Sequence, residues 1–227
     1  VSVTHPRMRP RAVVMDVAIH CAMPPRLAAA VGLDALCQAM ESTWAVGSTP
    51  ESLEYGKLGG ALVGACLAES VLTGSPKFRE AMMWGAHAAG MAIDISKTTA
   101  PHALSYQLTT RFGIPHGIAA ALTLGHIGRA NGLVTDSNCR DPRGAAWVRA
   151  RVADAAGALG ATPETLPGAV RELLRKLGVP TTLEEAGVDC SSLVEMAREV
   201  DPVRLSNNPR MLTVDELAEA LASAWPA

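Results

Sequence analysis

One carboxylate and two imidazoles stand out from an apolar background: Asp34 in Gly32-Leu33-Asp34-Ala35-Leu36-Cys37-Gln38, His102 in Pro101-His102-Ala103-Leu104, and His116 in Ile114-Pro115-His116-Gly117. An ionised carboxylate with two neutral imidazoles is a ligand set for Fe(II), Zn(II) and related divalent ions, and it leaves a coordination position for a substrate oxygen. A cation held this way polarises a carbonyl as a Lewis acid and stabilises the alkoxide that develops during hydride delivery. Gln38 lies four residues after Asp34, on the same face if the segment is helical. Its neutral amide reads as a weak fourth ligand or as a hydrogen-bonding support for the shell. Against this stands a plainer reading, because a histidine in an apolar helix is commonly a hydrogen-bonded core residue and an Asp near a helix start is commonly a cap. Spacing alone leaves both open.

The elements that must position these residues are helical. Pro24-Pro25 precedes a run from Arg26 to Trp44 rich in Ala, Leu and Met, which are good helix formers. Gly47-Ser48-Thr49-Pro50-Glu51 supplies a cap and a first-turn proline for a second helix through about Thr73. Its glycines, Gly56, Gly59, Gly60 and Gly64, cost helix propensity unless they permit close packing, and they are read as packing sites. Ser75-Pro76 opens a third helix through about Ile95, with Met82, Met83 and Met91 read as core filling. Pro101 to Thr110 forms a short helix with His102 and Tyr106 on one face. A turn at Phe112-Gly113-Ile114-Pro115 then leads to a helix from His116 towards Asn131. The two histidines therefore sit near the ends of consecutive helices. Further helical patterns cover Ala145 to Leu159, Thr165 to Leu177, Ser191 to Val200 and Val214 to Trp225, with Thr213-Val214-Asp215-Glu216 as a capping start and Gly132 to Pro142 as the most polar loop. The fold class is mainly α.

Ahead of these helices, Arg11-Ala12-Val13-Val14-Met15-Asp16 reads as a short buried strand with no partner strand after it. The chain opens on Val, as a piece of a longer protein would. Residues 1–25 are thus expected to be a residual strand and linker, and 26–227 a helical domain. With 227 residues and 48% hydrophobic content the chain can bury one sizeable core. A net charge of -2 gives no global field for nucleic acid or an anionic membrane, so neither partner is expected. Five cysteines lack any C-x-x-C spacing, and with no signal-peptide pattern this points to reduced thiols and a cytoplasmic location. Gly59-Gly60 lacks the preceding strand and the third glycine of a dinucleotide fingerprint. His5, His20, His87 and His126 have no partner motif and are read as packing or surface residues.

Taken together, Met23-Pro24-Pro25-Arg26, Gly32-Leu33-Asp34-Ala35-Leu36, Pro101-His102-Ala103-Leu104, Gly113-Ile114-Pro115-His116-Gly117 and Asn208-Pro209-Arg210-Met211-Leu212-Thr213 resemble the C-terminal helical domain of the iron-containing (group III) alcohol dehydrogenases, in the dehydroquinate synthase-like superfamily. The resemblance runs over nearly all of the chain. It implies metal ligands at Asp34, His102 and His116, with Gln38 where the family usually has histidine and Tyr106 where many members have another. It also implies NAD(P)H bound mainly by an N-terminal α/β domain of which residues 11–16 would be the last strand, a small aldehyde or alcohol as substrate, and self-association. This chain without that domain would be inactive.

A narrower similarity, carried by Ser96-Lys97-Thr98-Thr99-Ala100-Pro101-His102 and Leu36-Cys37-Gln38-Ala39-Met40-Glu41-Ser42, is to the phosphonoacetaldehyde reductase branch. Independently, Lys97 with the Thr98 and Thr99 hydroxyls could hold an anionic group near the carbonyl, with Arg111 assisting. The alternative is that Lys97 is a solvated helix-end charge and the threonines are caps. The reading taken forward is an NAD(P)H-dependent, metal-assisted aldehyde reductase, with Lys97 and Tyr106 as further site residues. A dehydroquinate synthase-like lyase or cyclase and a non-catalytic helical module are its rivals.

Overall fold

In the computed structural model, His5 and residues 8–226 are described. Residues 1–4, 6 and 7 of the expected linker, and Ala227 of the expected helical domain, lie outside the described residues.

The centre of the fold is α2, Pro25–Trp44, which starts on a proline whose missing N–H costs nothing in a first turn. It is buried on nearly every side, from Ala28 to Trp44. Around it pack α3 (Pro50–Thr73), α4 (Pro76–Ser96), α6 (His116–Gly132) and α7 (Ala145–Gly157). The second site-bearing helix, α5 (Ala100–Phe112), leads into α6 through Gly113, whose left-handed φ of 67° closes the earlier helix. Beyond them come α8 (Leu166–Lys176), α9 (Leu193–Arg198), α10 (Pro202–Leu205) and α11 (Val214–Ala224).

Local chemistry explains the boundaries. Thr49 and Ser52 form a reciprocal capping box at the start of α3, and Thr213 and Glu216 form another at α11. Glycines in α3 are packing sites as read: a Cβ at Gly59 would lie 3.0 Å from the Ala89 backbone nitrogen, and one at Gly64 would lie 2.1 Å from the Ala158 carbonyl oxygen. Arg143 holds the chain leaving α2 by donating to the carbonyls of Ala45, Val46 and Ser48 while its guanidinium stacks over Trp147.

Several expectations require correction. Residues 11–16 form no strand, and Val13 and Val14 are 56% and 93% exposed. An extended run of β-branched residues becomes a strand only where a neighbour accepts its backbone hydrogen bonds, and no β-strand is present among the described residues. A short helix, α1 (Val17–Cys21), capped by the Asp16 carboxylate, follows instead. The 191–200 segment opens with a 3-10 turn at Cys190–Ser192 before α9. Of the three methionines assigned to the core on α4, Met82 is buried, Met83 is half-buried and Met91 is 37% exposed. The five cysteines are free thiols. Among the described residues, no helix is long and apolar enough to cross a membrane.

Candidate metal centre

Asp34 on α2, His102 on the first turn of α5 and His116 at the first residue of α6 converge. Asp34 Oδ1 lies 3.2 Å from His102 Nε2 and 3.8 Å from His116 Nε2, and one donor atom from each residue falls within 4.8 Å of the other two. Ligands bonded to one ion at about 2.0–2.2 Å stand roughly 3–4.4 Å apart, so the three side chains need only small movements to share a centre. Three elements meet here because α6 touches α2 at a glycine. A Cβ on Gly117 would lie 2.0 Å from the Ala30 carbonyl oxygen and 2.8 Å from Asp34 Cβ, so a side chain there would push His116 away from Asp34.

Each imidazole is oriented from behind. Glu41, fully buried one helical turn beyond Gln38, accepts from His102 Nδ1 through Oε1. Its Oε2 accepts from the Thr99 backbone N–H at 2.7 Å and the Thr99 hydroxyl at 2.9 Å. The Thr99 oxygen in turn accepts from Trp44 Nε1 at 3.0 Å. A buried carboxylate is tolerable only when its oxygens are satisfied, and here they are. Behind His116, Ser105 donates its hydroxyl to the His102 carbonyl at 2.8 Å and so meets His116 Nδ1, at 3.3 Å, as an acceptor. Nδ1 therefore carries the proton in His116, and both rings present Nε2 to the same space. Gln38 donates Nε2 to Asp34 Oδ2 at 2.7 Å, which turns Oδ1 towards the histidines.

Electrostatics follow this arrangement. Burial lowers the affinity of His102 for a proton, but the Glu41 charge and the hydrogen bonds to Asp34 and Glu41 outweigh it and push the pKa up to about 10. His116 moves the other way, lowered by burial and then by the positive charges of His102 and Arg204, with Asp34 and Glu41 opposing. Cys37, buried beside Glu41 and Asp34, is held well above the ordinary thiol range by burial, so it is an inert packing group. His126 is lowered to about 4 by burial and by Arg171 and Arg129, in keeping with a packing role.

Tyr106 packs its ring 5.4 Å from that of His116 and accepts from Arg204 Nη1 at 3.0 Å. It opens onto a cavity of about 770 Å³ also lined by Lys97, Thr98, Arg204, Ser206 and Asn207. Lys97 is exposed at the C-terminus of α4, with its ammonium donating to the Asp94 carbonyl at 2.7 Å and an unusual backbone φ of 61°. Asn207 holds both sides of this residue, donating to the Ser96 and Thr98 carbonyls at 2.9 Å each. Neither this cavity nor the larger groove, about 800 Å³ between α3, α7 and α8, is lined by Asp34, His102 or His116 themselves, and the smaller one is tied to them through the Tyr106 ring beside His116. Size is a poorer guide here than the chemistry of the lining.

Two expected anion contacts fail. Arg111 pairs with Glu195 of α9 and with Glu199 at its C-terminal cap, and the Thr99 hydroxyl is turned inward to Glu41. Sequence reasoning missed Glu41, Ser105 and Arg204. For Glu41 a signal existed, since it stands seven residues after Asp34 and shares a helix face with it and Gln38.

With this geometry in place, the comparisons with known proteins are consistent. Residues 28–225 match the sequence model of the Fe-containing alcohol dehydrogenase family, C-terminal. The chain is 38% identical to the phosphonoacetaldehyde reductase of Streptomyces viridochromogenes, over 97% of this chain and 55% of that one. Its fold is similar to that of the iron containing alcohol dehydrogenase from Thermococcus thioreducens, with a TM-score of 0.83 and 27% identity over 98% of this chain and 57% of that one. It is also similar to sulfoacetaldehyde reductase from Bifidobacterium kashiwanohense, solved in complex with NAD+, with a TM-score of 0.78 and 27% identity over 92% and 53%. The chain thus spans about half the length of the relatives it matches.

Proposed function

The chain belongs to the Fe-containing alcohol dehydrogenase family, and from that premise we propose that it is the metal-binding part of an NAD(P)H-dependent reductase of small aldehydes, with phosphonoacetaldehyde, for which its 38% identical relative is named, as the substrate. The observation that carries this reading is the convergence of Asp34, His102 and His116 within 4.8 Å, with Nε2 of both rings turned inward.

In this reading Asp34, His102 and His116 hold a divalent cation, Fe(II) or Zn(II), and the donor set of one carboxylate and two imidazoles suits either ion. When bound, the cation supplies a Lewis acid for an aldehyde oxygen, and reduced nicotinamide supplies the hydride. Glu41 and Ser105 hold the two rings in the tautomer that points Nε2 at the centre. Gln38 supports Asp34 through its amide rather than ligating. Tyr106 walls the substrate side next to His116, and its hydroxyl, accepting from Arg204, offers its own proton to the product oxygen. Lys97 brings positive charge to the cavity beside it. The nicotinamide is held mainly by an α/β nucleotide-binding domain that works with this one, and residues 1–25 serve as the connection to it.

The test is metal analysis of the full-length protein together with aldehyde-dependent oxidation of NADH and NADPH. Bound Fe(II) or Zn(II), loss of turnover on chelation and its return on metal addition are the expected results. Absence of both metal dependence and aldehyde turnover overturns the reading.

A further inference from the structure

We propose that Arg204 is a specificity-determining residue, binding a strongly acidic substituent, a phosphonate or sulfonate, carried by the aldehyde. The inference rests on the reductase reading and deepens it, because it assigns the substrate class to a named side chain. Arg204 is reached from the metal centre in two short steps. The His116 and Tyr106 ring centres are 5.4 Å apart, and the Arg204 guanidinium carbon lies 4.1 Å over the Tyr106 ring. In a two-carbon aldehyde the acid oxygens stand roughly 4–5 Å from the carbonyl oxygen, given bonds near 1.5 Å. An aldehyde whose oxygen sits at the metal centre is long enough for its acid group to reach Arg204 past Tyr106.

The surroundings favour an anion. Lys97 lines the same cavity, and so do the polar side chains of Ser206 and Asn207. Of the acidic groups facing this space, Asp94 is already paired with Arg9 at 2.5 Å. Asp201 approaches Arg204 at Nε, 3.5 Å away, on the edge distinct from Nη1, which donates to Tyr106. A guanidinium carries its donors in a rigid plane that matches two oxygens of a phosphonate at once, whereas an ammonium acts as a point charge. The stacking on Tyr106 fixes that plane before the substrate arrives, which lowers the ordering cost of binding. Arg111, expected from the sequence to assist here, pairs with Glu195 and Glu199 and is not among the residues that line this cavity.

The experiment compares phosphonoacetaldehyde with propanal, a neutral aldehyde of similar size, on the full-length metal-loaded protein. The quantity read is the ratio of the two kcat/KM values. Arg204→Ala is expected to collapse that ratio by about 30-fold, mainly through KM, the scale of one hydrogen-bonded charge contact. Arg204→Lys should recover part of it by restoring charge without the planar fork. An unchanged ratio, or an equal loss on both aldehydes, overturns the proposal. Calorimetric titration with ethylphosphonate gives a readout that needs no turnover, and Arg204→Ala should weaken it by a similar factor. If wild-type protein turns over no aldehyde but binds ethylphosphonate through Arg204, the reductase reading fails and the anion subsite stands. If aldehydes are turned over and ethylphosphonate binds wild type and Arg204→Ala equally, the subsite fails alone.

Discussion

The Glu41 carboxylate and His102 Nδ1 are joined by a hydrogen bond buried from solvent across 61 positions of chain. The same carboxylate takes the Thr99 N–H and hydroxyl at the mouth of α5, so one side chain both fixes the His102 ring and anchors the start of the helix that carries it. Negative charge at that end also complements the helix dipole. The candidate metal centre is therefore built on α2 twice, once through Asp34 and again, indirectly, through Glu41.

Replacing that carboxylate by its neutral isostere separates the two contributions. Glu41→Gln keeps the shape but removes the charge behind His102, and it is expected to weaken metal affinity by about 10–100-fold. Chelator competition measures this. Glu41→Ala leaves the Thr99 donors and the His102 ring without a buried partner and should cost about 3–5 kcal/mol in urea unfolding. Undiminished metal affinity in Glu41→Gln would show that the residue only braces the fold.

Proton competition at His102 gives the pH dependence. In the metal-free protein its pKa is raised from 6.5 to about 10, so the folded form binds a proton more tightly than the unfolded form does. That stabilisation is fully present below pH 6.5 and is lost as pH rises through about 10. A cation at Nε2 must displace this proton. Metal uptake near neutral pH should release acid into weakly buffered solution, and apparent affinity should rise by up to about tenfold per pH unit between 6.5 and 10. Uptake with no proton release contradicts this account.

Much of this was legible from residue types. Asp34, His102 and His116 can be picked out as candidates by residue type, while the choice between ligands and core or cap residues comes from the family resemblance, and helix boundaries follow from Pro25, Pro50, Pro76 and Pro101. What escaped was set by tertiary partners. Glu41 shares a helix face with Asp34, but its role shows only once Thr99 and His102 close over it. Arg111 reads as available until α9 brings Glu195 and Glu199 to it. Arg204 reaches the cavity beside the cluster because α10 lays it across Tyr106, 98 residues away in the chain. Val13 and Val14 have the composition of a strand, yet strand formation depends on a neighbour that local sequence does not encode.

Close approach at Gly117 yields a steric prediction. With the Ala30 carbonyl 2.0 Å from the position of an added Cβ, and that atom being backbone, Gly117→Ala must separate α6 from α2. Overpacking of this kind costs about 1–3 kcal/mol or more. The same displacement carries His116 away from Asp34, so metal affinity should fall together with stability. Gly113→Ala is a useful comparison, because its cost comes from a left-handed φ of 67° with open space around it. It should lower stability while leaving metal affinity nearer to wild type. Equal effects of both variants on metal affinity would remove the argument from helix contact.

Lys97 is the one non-glycine residue with a positive φ among the described residues, at φ 61° and ψ 175°. Backbone in that region is essentially reserved for glycine and costs about 1–3 kcal/mol for other residues. Asn207 enforces it by holding the carbonyls on either side. Lys97→Gly relieves the strain but adds freedom to the unfolded chain, an opposing effect of about 0.4–1 kcal/mol. The balance should raise Tm by about 2–4 °C per kcal/mol gained, provided the strained conformation is maintained by Asn207 rather than by the lysine side chain. Loss of the ammonium should at the same time lower the preference for phosphonoacetaldehyde over propanal. A melting temperature that falls would mean that the Lys97 bond to the Asp94 carbonyl contributes more than the strain costs, and that this backbone conformation serves the fold instead of the cavity.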